Sequence, residues 1–211
     1  MKKEGILFDL DGTLWEVIDS TFKSANEIVK KYELQEISKE TICSVFGLNK
    51  VESAQLYFPY LELDKSLKLL DEIAFLNIKN LKEYGGNVYP NLEKTLIDLQ
   101  GNYEMFIVSN TAESEYIEAF LISSNLNKYF KDYIAASELK ISKADAIKKI
   151  INDYQLTKAI YVGDTKKDME ASDLAGIPFI QAKYGFGKDL NTKYYINEIK
   201  ELPNIVEKLS H

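Results

Sequence analysis

Two carboxylates spaced two residues apart, Asp9 and Asp11, close the apolar run Ile6-Leu7-Phe8 and are followed by Gly12-Thr13-Leu14. A strand that ends in Asp-x-Asp-Gly delivers both carboxyl groups to the carboxyl edge of a sheet, where open parallel sheets receive their ligands. Like charges buried side by side are costly, so the pair calls for a cation or a shared proton. The same residues can also be read as an Asp-Gly turn closing a hairpin. A second acidic strand end follows far downstream in Val162-Gly163-Asp164-Thr165-Lys166-Lys167-Asp168. If the two strand ends converge in one sheet, Asp9, Asp11 and Asp164 offer hard oxygen ligands suited to a Mg2+ that keeps part of its water and works with a phosphate. Asp168, one helical turn beyond Asp164, could order metal-bound water, hold a lysine, or only complement a helix dipole. Ser109 and Asn110 end another apolar run, where a hydroxyl, an amide and backbone N–H groups suit an anion, or simply cap a helix.

Composition excludes several other chemistries. The chain has 211 residues, 45% hydrophobic and 28% charged, enough for one good core and a small second one. All 26 basic residues are Lys and the net charge is -7, which gives no basic footprint for nucleic acid. The lone cysteine, Cys43, cannot form an internal disulfide or a cysteine-rich zinc site. The sole histidine is His211 at the last position, so a nucleophile must come from Asp, Ser, Thr, Lys or Cys43. Met1-Lys2-Lys3-Glu4 leads into the first strand without a secretory apolar region, and no run approaches the ~18 apolar residues of a bilayer span. A cytoplasmic protein without membrane or nucleic-acid partners is the expectation.

The positioning elements follow from periodicity. From Thr21 to about Tyr84, apolar residues recur at helical spacing, as in Phe22, Ala25, Ile28 and Val29, then Leu67, Leu70, Ile73 and Ala74. Ser38 opens a helix, Phe46-Gly47-Leu48-Asn49 interrupts one, and Gly85-Gly86-Asn87 ends the block. After Pro90 the pattern becomes alternating helix and strand: a helix over 92–99, a strand at Glu104 to Ser109, a helix over 114–123 and a short strand over 133–135. It continues with a helix over 143–154, a strand at Ala159 to Asp164, a helix over 171–175, a strand over 178–182, a short strand over 194–196 and a closing helix from Pro203. Strands that are apolar throughout and alternate with helices indicate a parallel sheet covered on both faces. The expected fold is therefore α/β, a Rossmann-like parallel sheet interrupted by an all-helical insertion, with residues 1–14 and 86–211 forming the core and 15–85 the helical domain.

These residues resemble the motifs of the haloacid dehalogenase-like hydrolase superfamily. Asp9-Leu10-Asp11-Gly12-Thr13-Leu14 is similar to its first motif, Ser109-Asn110 to its second, Lys143 to its third and Gly163-Asp164-Thr165-Lys166-Lys167-Asp168 to its fourth, in the family order from residue 5 to about 182. The helical insertion after the first motif resembles the cap of the phosphoglycolate phosphatase and beta-phosphoglucomutase branch, as do Ala175-Gly176-Ile177-Pro178 and Tyr184-Gly185-Phe186-Gly187. The resemblance implies a Mg2+-dependent phosphatase acting on a small phosphorylated metabolite, as a monomer or small homo-oligomer. It makes Asp9 the nucleophile that forms an aspartyl-phosphate and Asp11 the acid and base. Mg2+ would be held by Asp9, the Asp11 backbone carbonyl and Asp164, while Thr13, Ser109, Asn110 and Lys143 would bind phosphate.

The third motif departs from its familiar form, in which a proline follows the lysine; here the sequence is Ser142-Lys143-Ala144-Asp145, and Lys140 is a rival. Lys143 is preferred because it opens the helix preceding the fourth-motif strand. In a cap without arginine, Lys50 is the candidate substrate contact, although a solvated turn lysine fits its position as well. A mutase shares every core residue, and a non-catalytic phosphate-binding or regulatory module is the reading from another class. A dehalogenase would be expected to lack Asp11.

Overall fold

The computed structural model describes residues 4–46, 48–111, 113–188 and 190–210. Gly47, the N-terminal Met1-Lys2-Lys3 and His211, all singled out from the sequence, lie outside them.

Among the described residues, six parallel strands form one sheet: β1 (Glu4–Phe8), β4 (Glu104–Ser109), β5 (Phe130–Ala135), β6 (Lys158–Gly163), β7 (Phe179–Ala182) and β8 (Tyr195–Ile196). Their spatial order is β5-β4-β1-β6-β7-β8. The chain builds outward from β1 on one side, then crosses over to build outward on the other, which is the Rossmann order and puts its switch point between β1 and β6. β1 sits centrally, with Ile6 level with Met105 on one neighbour and Ile160 on the other. Because β1 runs parallel to both, Asp11-Gly12 does not close a hairpin.

The central strands β1, β4 and β6 are apolar along most of their length because successive side chains enter different layers. Ile6, Phe8, Ile107 and Val162 pack with the helices α5 (Leu92–Leu99), α6 (Ser114–Ser124) and α9 (Leu202–Ser210) through Leu96, Phe120 and Val206. Leu7, Phe106, Val108 and Tyr161 pack on the other face with α7 (Lys143–Asp153) and α8 (Lys166–Ala175) through Ile147, Ile150 and Ala171.

The helical insertion comprises α1 (Ile18–Lys31), α2 (Lys39–Val45), α3 (Lys50–Tyr57) and α4 (Leu63–Tyr84). It buries its own cluster of Ala25, Ile28, Val29, Ile42, Phe58 and Ile73. Ser38 caps α2 by accepting from the Thr41 amide, and Asn49 caps α3 in a reciprocal box with Glu52. Gly85, at φ 74°, ends α4 in a conformation that costs a side-chain-bearing residue energy. The entry and exit of the insertion pair as two short antiparallel strands, β2 (Trp15–Glu16) and β3 (Asn87–Val88), so the helices proper start at Ile18.

Two boundaries differ from expectation. Helix α8 begins at Lys166 rather than near residue 171, because Thr165 and Asp168 form a capping box that periodicity does not register. Strand β5 starts at Phe130, three residues early, since Lys131 and Asp132 of this edge strand are exposed and break the apolar run.

Candidate active site

The ladder of β1 continues past its last residue, where the Asp9 amide donates to the Val162 carbonyl at 2.8 Å. The carboxyl end of β1 is thereby fixed beside that of β6. At Gly12 the backbone takes φ 76°, and a Cβ there would run into the Asp164 carboxylate. Glycine is required for the turn and for the close approach of the two strand ends. Asp9, Asp164 and Asp168 are buried, with one carboxylate oxygen of each lying within 4.8 Å of the others.

Lys143, the first residue of α7, is buried and bridges this group. Its Nζ donates to Asp9 Oδ1 at 2.7 Å and to Asp168 Oδ1 at 2.5 Å. Burial pulls its pKa down, but Asp168 and Asp9 more than offset that, so it stays charged. Lys140 is exposed and takes no part. The other oxygen of Asp168 accepts from the amide and hydroxyl of Thr165, at 2.9 and 2.6 Å, so both its oxygens are engaged. Its contacts display two of the roles open to Asp168, holding the lysine and serving the N-terminus of α8.

Asp164 Oδ2 accepts from the amides of Phe186 at 2.6 Å and Gly187 at 3.0 Å, whereas its buried Oδ1 has no partner among the described residues. Burial, then the charge of Asp168, push its carboxyl up to about 7 against the pull of those amides. Asp9 is also raised well above the ordinary carboxylate range, by burial and by Asp168, with Lys143 opposing. If all three carboxyls ionised, one ammonium would leave two unbalanced negative charges, and an orphaned buried oxygen is costly. Oxygen donors with this charge excess fit a hard divalent cation such as Mg2+, which Asp9 and Asp164 are placed to hold.

Asp11 is held differently. Its Oδ1 accepts from Trp15 Nε1 and from the Tyr116 hydroxyl, each at 2.8 Å. Burial raises its carboxyl to about 6 even though both donors favour the ionised form. Trp15 and Tyr116 brace one another edge to face, ring centroids 5.6 Å apart. Asp9, Asp11, Tyr116, Lys143 and Thr165 line one cavity of about 160 Å³, together with Ser109, Asn110 and Thr111 from the end of β4. The helical insertion closes it with Val45, Phe46 and Leu48. Phe46 stacks on Phe186 at 4.5 Å, and Lys167 of α8 pairs with Glu52 of α3 at 3.1 Å, so the insertion touches the sheet edge beside the carboxylates.

The remaining sequence candidates are placed in different ways. Ser109 is buried, its hydroxyl accepting from the Thr111 amide at 3.3 Å. Helix α6 starts only at Ser114, so the donors available at Ser109 and Asn110 belong to the end of β4 and the residue after it and not to a helix N-terminus. Thr13 is fully buried, does not line the cavity, and its hydroxyl has no partner among the described residues. Lys50 lies outside this cavity, paired with Asp71 in an adjoining one. Sequence reasoning missed Trp15, Tyr116 and Thr165. Trp15 lies four residues past Asp11 and was legible as a possible donor, but nothing in the spacing links Asp11 to Tyr116, 105 positions away.

A Rossmann-ordered sheet, buried carboxylates at its switch point and a helical cover over a small polar cavity define an α/β enzyme for a small ligand. The chain belongs to the haloacid dehalogenase-like hydrolase family, whose sequence profile matches residues 6–182. It is similar to the phosphoglycolate phosphatase of Aquifex aeolicus, 27% identical over 194 residues that cover 87% of this chain and 86% of that one. A phosphoglycolate phosphatase from Photobacterium profundum is 24% identical over 192 residues, covering 86% and 83%. A solved haloacid dehalogenase-like hydrolase from Streptococcus pneumoniae shares the fold at a TM-score of 0.83 and 21% identity, covering 96% of this chain and 97% of that one.

Proposed function

We propose that the protein is a Mg2+-dependent phosphatase that hydrolyses a small phosphomonoester through an aspartyl-phosphate on Asp9, with residues 15–85 acting as its cap. The observation that carries this is one small cavity in which Asp9, bridged by Lys143, faces Asp11, held by a separate pair of donors. At about 160 Å³ the cavity is below the ~300–1,000 Å³ of ordinary ligand pockets and suits a phosphoryl group.

In the first step a carboxylate oxygen of Asp9 attacks phosphorus, the bond to the leaving oxygen breaks, and Asp11 gives that oxygen its proton. In the second, water attacks the phosphorus, Asp11 takes its proton, and the bond to Asp9 breaks to release phosphate. A carboxyl poised at about 6 can serve both as acid and as base near neutrality. Lys143 and the Ser109 hydroxyl stabilise the phosphoryl oxygens, because such transfer depends on positioning and electrostatics. Mg2+ held by Asp9, Asp164 and the Asp11 backbone carbonyl would neutralise charge between nucleophile and phosphate. Val45, Phe46 and Leu48 exclude water from the first step.

The test is phosphate release from small phosphomonoesters, with and without Mg2+, for the wild type and Asp9→Asn. Mg2+-dependent release that disappears in Asp9→Asn supports the reading. Undiminished release by that variant, or by the metal-free enzyme, refutes it.

A further inference from the structure

The phosphate-sized cavity is not the whole of the space between the helical insertion and the sheet edge. A second cavity of about 180 Å³ shares Val45, Leu48, Asn110 and Thr111 with it and extends beneath the helical insertion. A substrate whose phosphoryl group lies against Asp9 has this second space for the rest of its atoms. Its walls carry hydroxyl groups from Ser53, Tyr57 and Ser137 and three charged side chains, Lys50, Asp71 and Glu113.

The charges do not favour an anion. Lys50, the cavity's sole cation among the described residues, is already ion-paired with Asp71. Glu113 stands near both: burial raises its carboxyl, Lys50 draws it back down, and Asp71 pushes it up again. Two carboxylates against one ammonium leave an excess negative charge where the non-phosphate end of a substrate must sit. Phosphoglycolate, the ester in the relatives' name, releases an alcohol that ends in a carboxylate. Placed here, that carboxylate meets like charge with no unpaired cation in the wall to offset it.

Resting on the phosphatase reading, we propose that this second cavity receives the leaving group and selects against anionic ones. The substrates are then small phosphomonoesters of hydroxyl- or ammonium-bearing alcohols, not carboxylated ones.

Three two-carbon esters of nearly equal size test this: phosphoglycolate, ethylene glycol monophosphate and phosphoethanolamine, with p-nitrophenyl phosphate as a general phosphatase substrate. In the wild type with Mg2+, kcat/KM for phosphoglycolate is expected to fall at least about tenfold below that for either of the other two. In the Asp71→Asn/Glu113→Gln double variant, the ratio of phosphoglycolate to ethylene glycol monophosphate should rise at least about fivefold. Phosphoglycolate turned over as well as the others by the wild type, or a ratio unmoved by the double substitution, overturns the proposal while the phosphatase reading stands. If p-nitrophenyl phosphate and all three esters stay intact, that reading falls and the proposal with it.

Discussion

Substituting Tyr116→Phe removes one hydroxyl and leaves a ring of nearly the same shape against Trp15, so its effect should be confined to Asp11. The hydroxyl supplies one of two hydrogen bonds, each 2.8 Å long, to a single oxygen of that half-buried side chain. Trp15 Nε1 alone then fixes the group, and the other oxygen no longer has a defined direction toward the leaving atom. A hydrogen bond to a charged group contributes about 1.5–3 kcal/mol, so if its loss falls on the transition state, the rate drops roughly 10- to 150-fold. The drop should depend on the leaving group, because an alkoxide needs a proton from Asp11 whereas nitrophenolate leaves readily without one. The assay compares kcat/KM, which reports only the steps through departure of the leaving group, for an alkyl phosphate and for p-nitrophenyl phosphate in wild type and variant. A large loss on the alkyl ester with less than about threefold loss on the aryl ester is the expected result. Equal losses on both would mean that Tyr116 only supports the packing, and no loss on either would mean that Trp15 suffices; each refutes the argument.

Replacing Lys143 by Met leaves Asp9 and Asp168 buried without their cation, which should cost about 3–5 kcal/mol of stability. Urea denaturation should show this, with the midpoint partly restored by Mg2+. A Gly187→Ala change would drive a Cβ into the backbone carbonyl of Asp164 and displace the amide that donates to Asp164 Oδ2. Strain of this kind costs about 1–3 kcal/mol, and Tm in a thermal scan should fall by roughly 2–4 °C for each of them.

Much of this protein is legible in its sequence because the relevant signals are local. Apolar runs of strand length, ending in Asp9, Ser109 and Asp164, give the sheet and the edge at which its ligand must sit, and the helical spacing from Thr21 to Tyr84 gives the insertion. An order of strand, long helical block and then alternating helix and strand suffices for the fold class, since burial on both faces requires it. Less legible were elements whose signal is a cap or an exposed edge, such as the start of α8 at Lys166 and the early residues of β5.

Only the tertiary structure decided which chemistry-bearing groups touch. From sequence, Asp168 could order water, pair with a lysine or complement a helix dipole; the fold packs α7 beside α8 and gives it Lys143. Tyr116 reaches Asp11 because α6 covers the same sheet edge, and the Phe186 and Gly187 amides reach Asp164 because the loop after β7 folds back over the end of β6. Lys50, which the sequence offered as a substrate contact or a solvated turn lysine, is held by Asp71 from another helix of the insertion. Residue type and local spacing determined where carboxylates and a phosphate-sized site should occur. Which of them are bridged, orphaned or neutralised depends on contacts between residues distant in the chain, and those are set by how the layers pack.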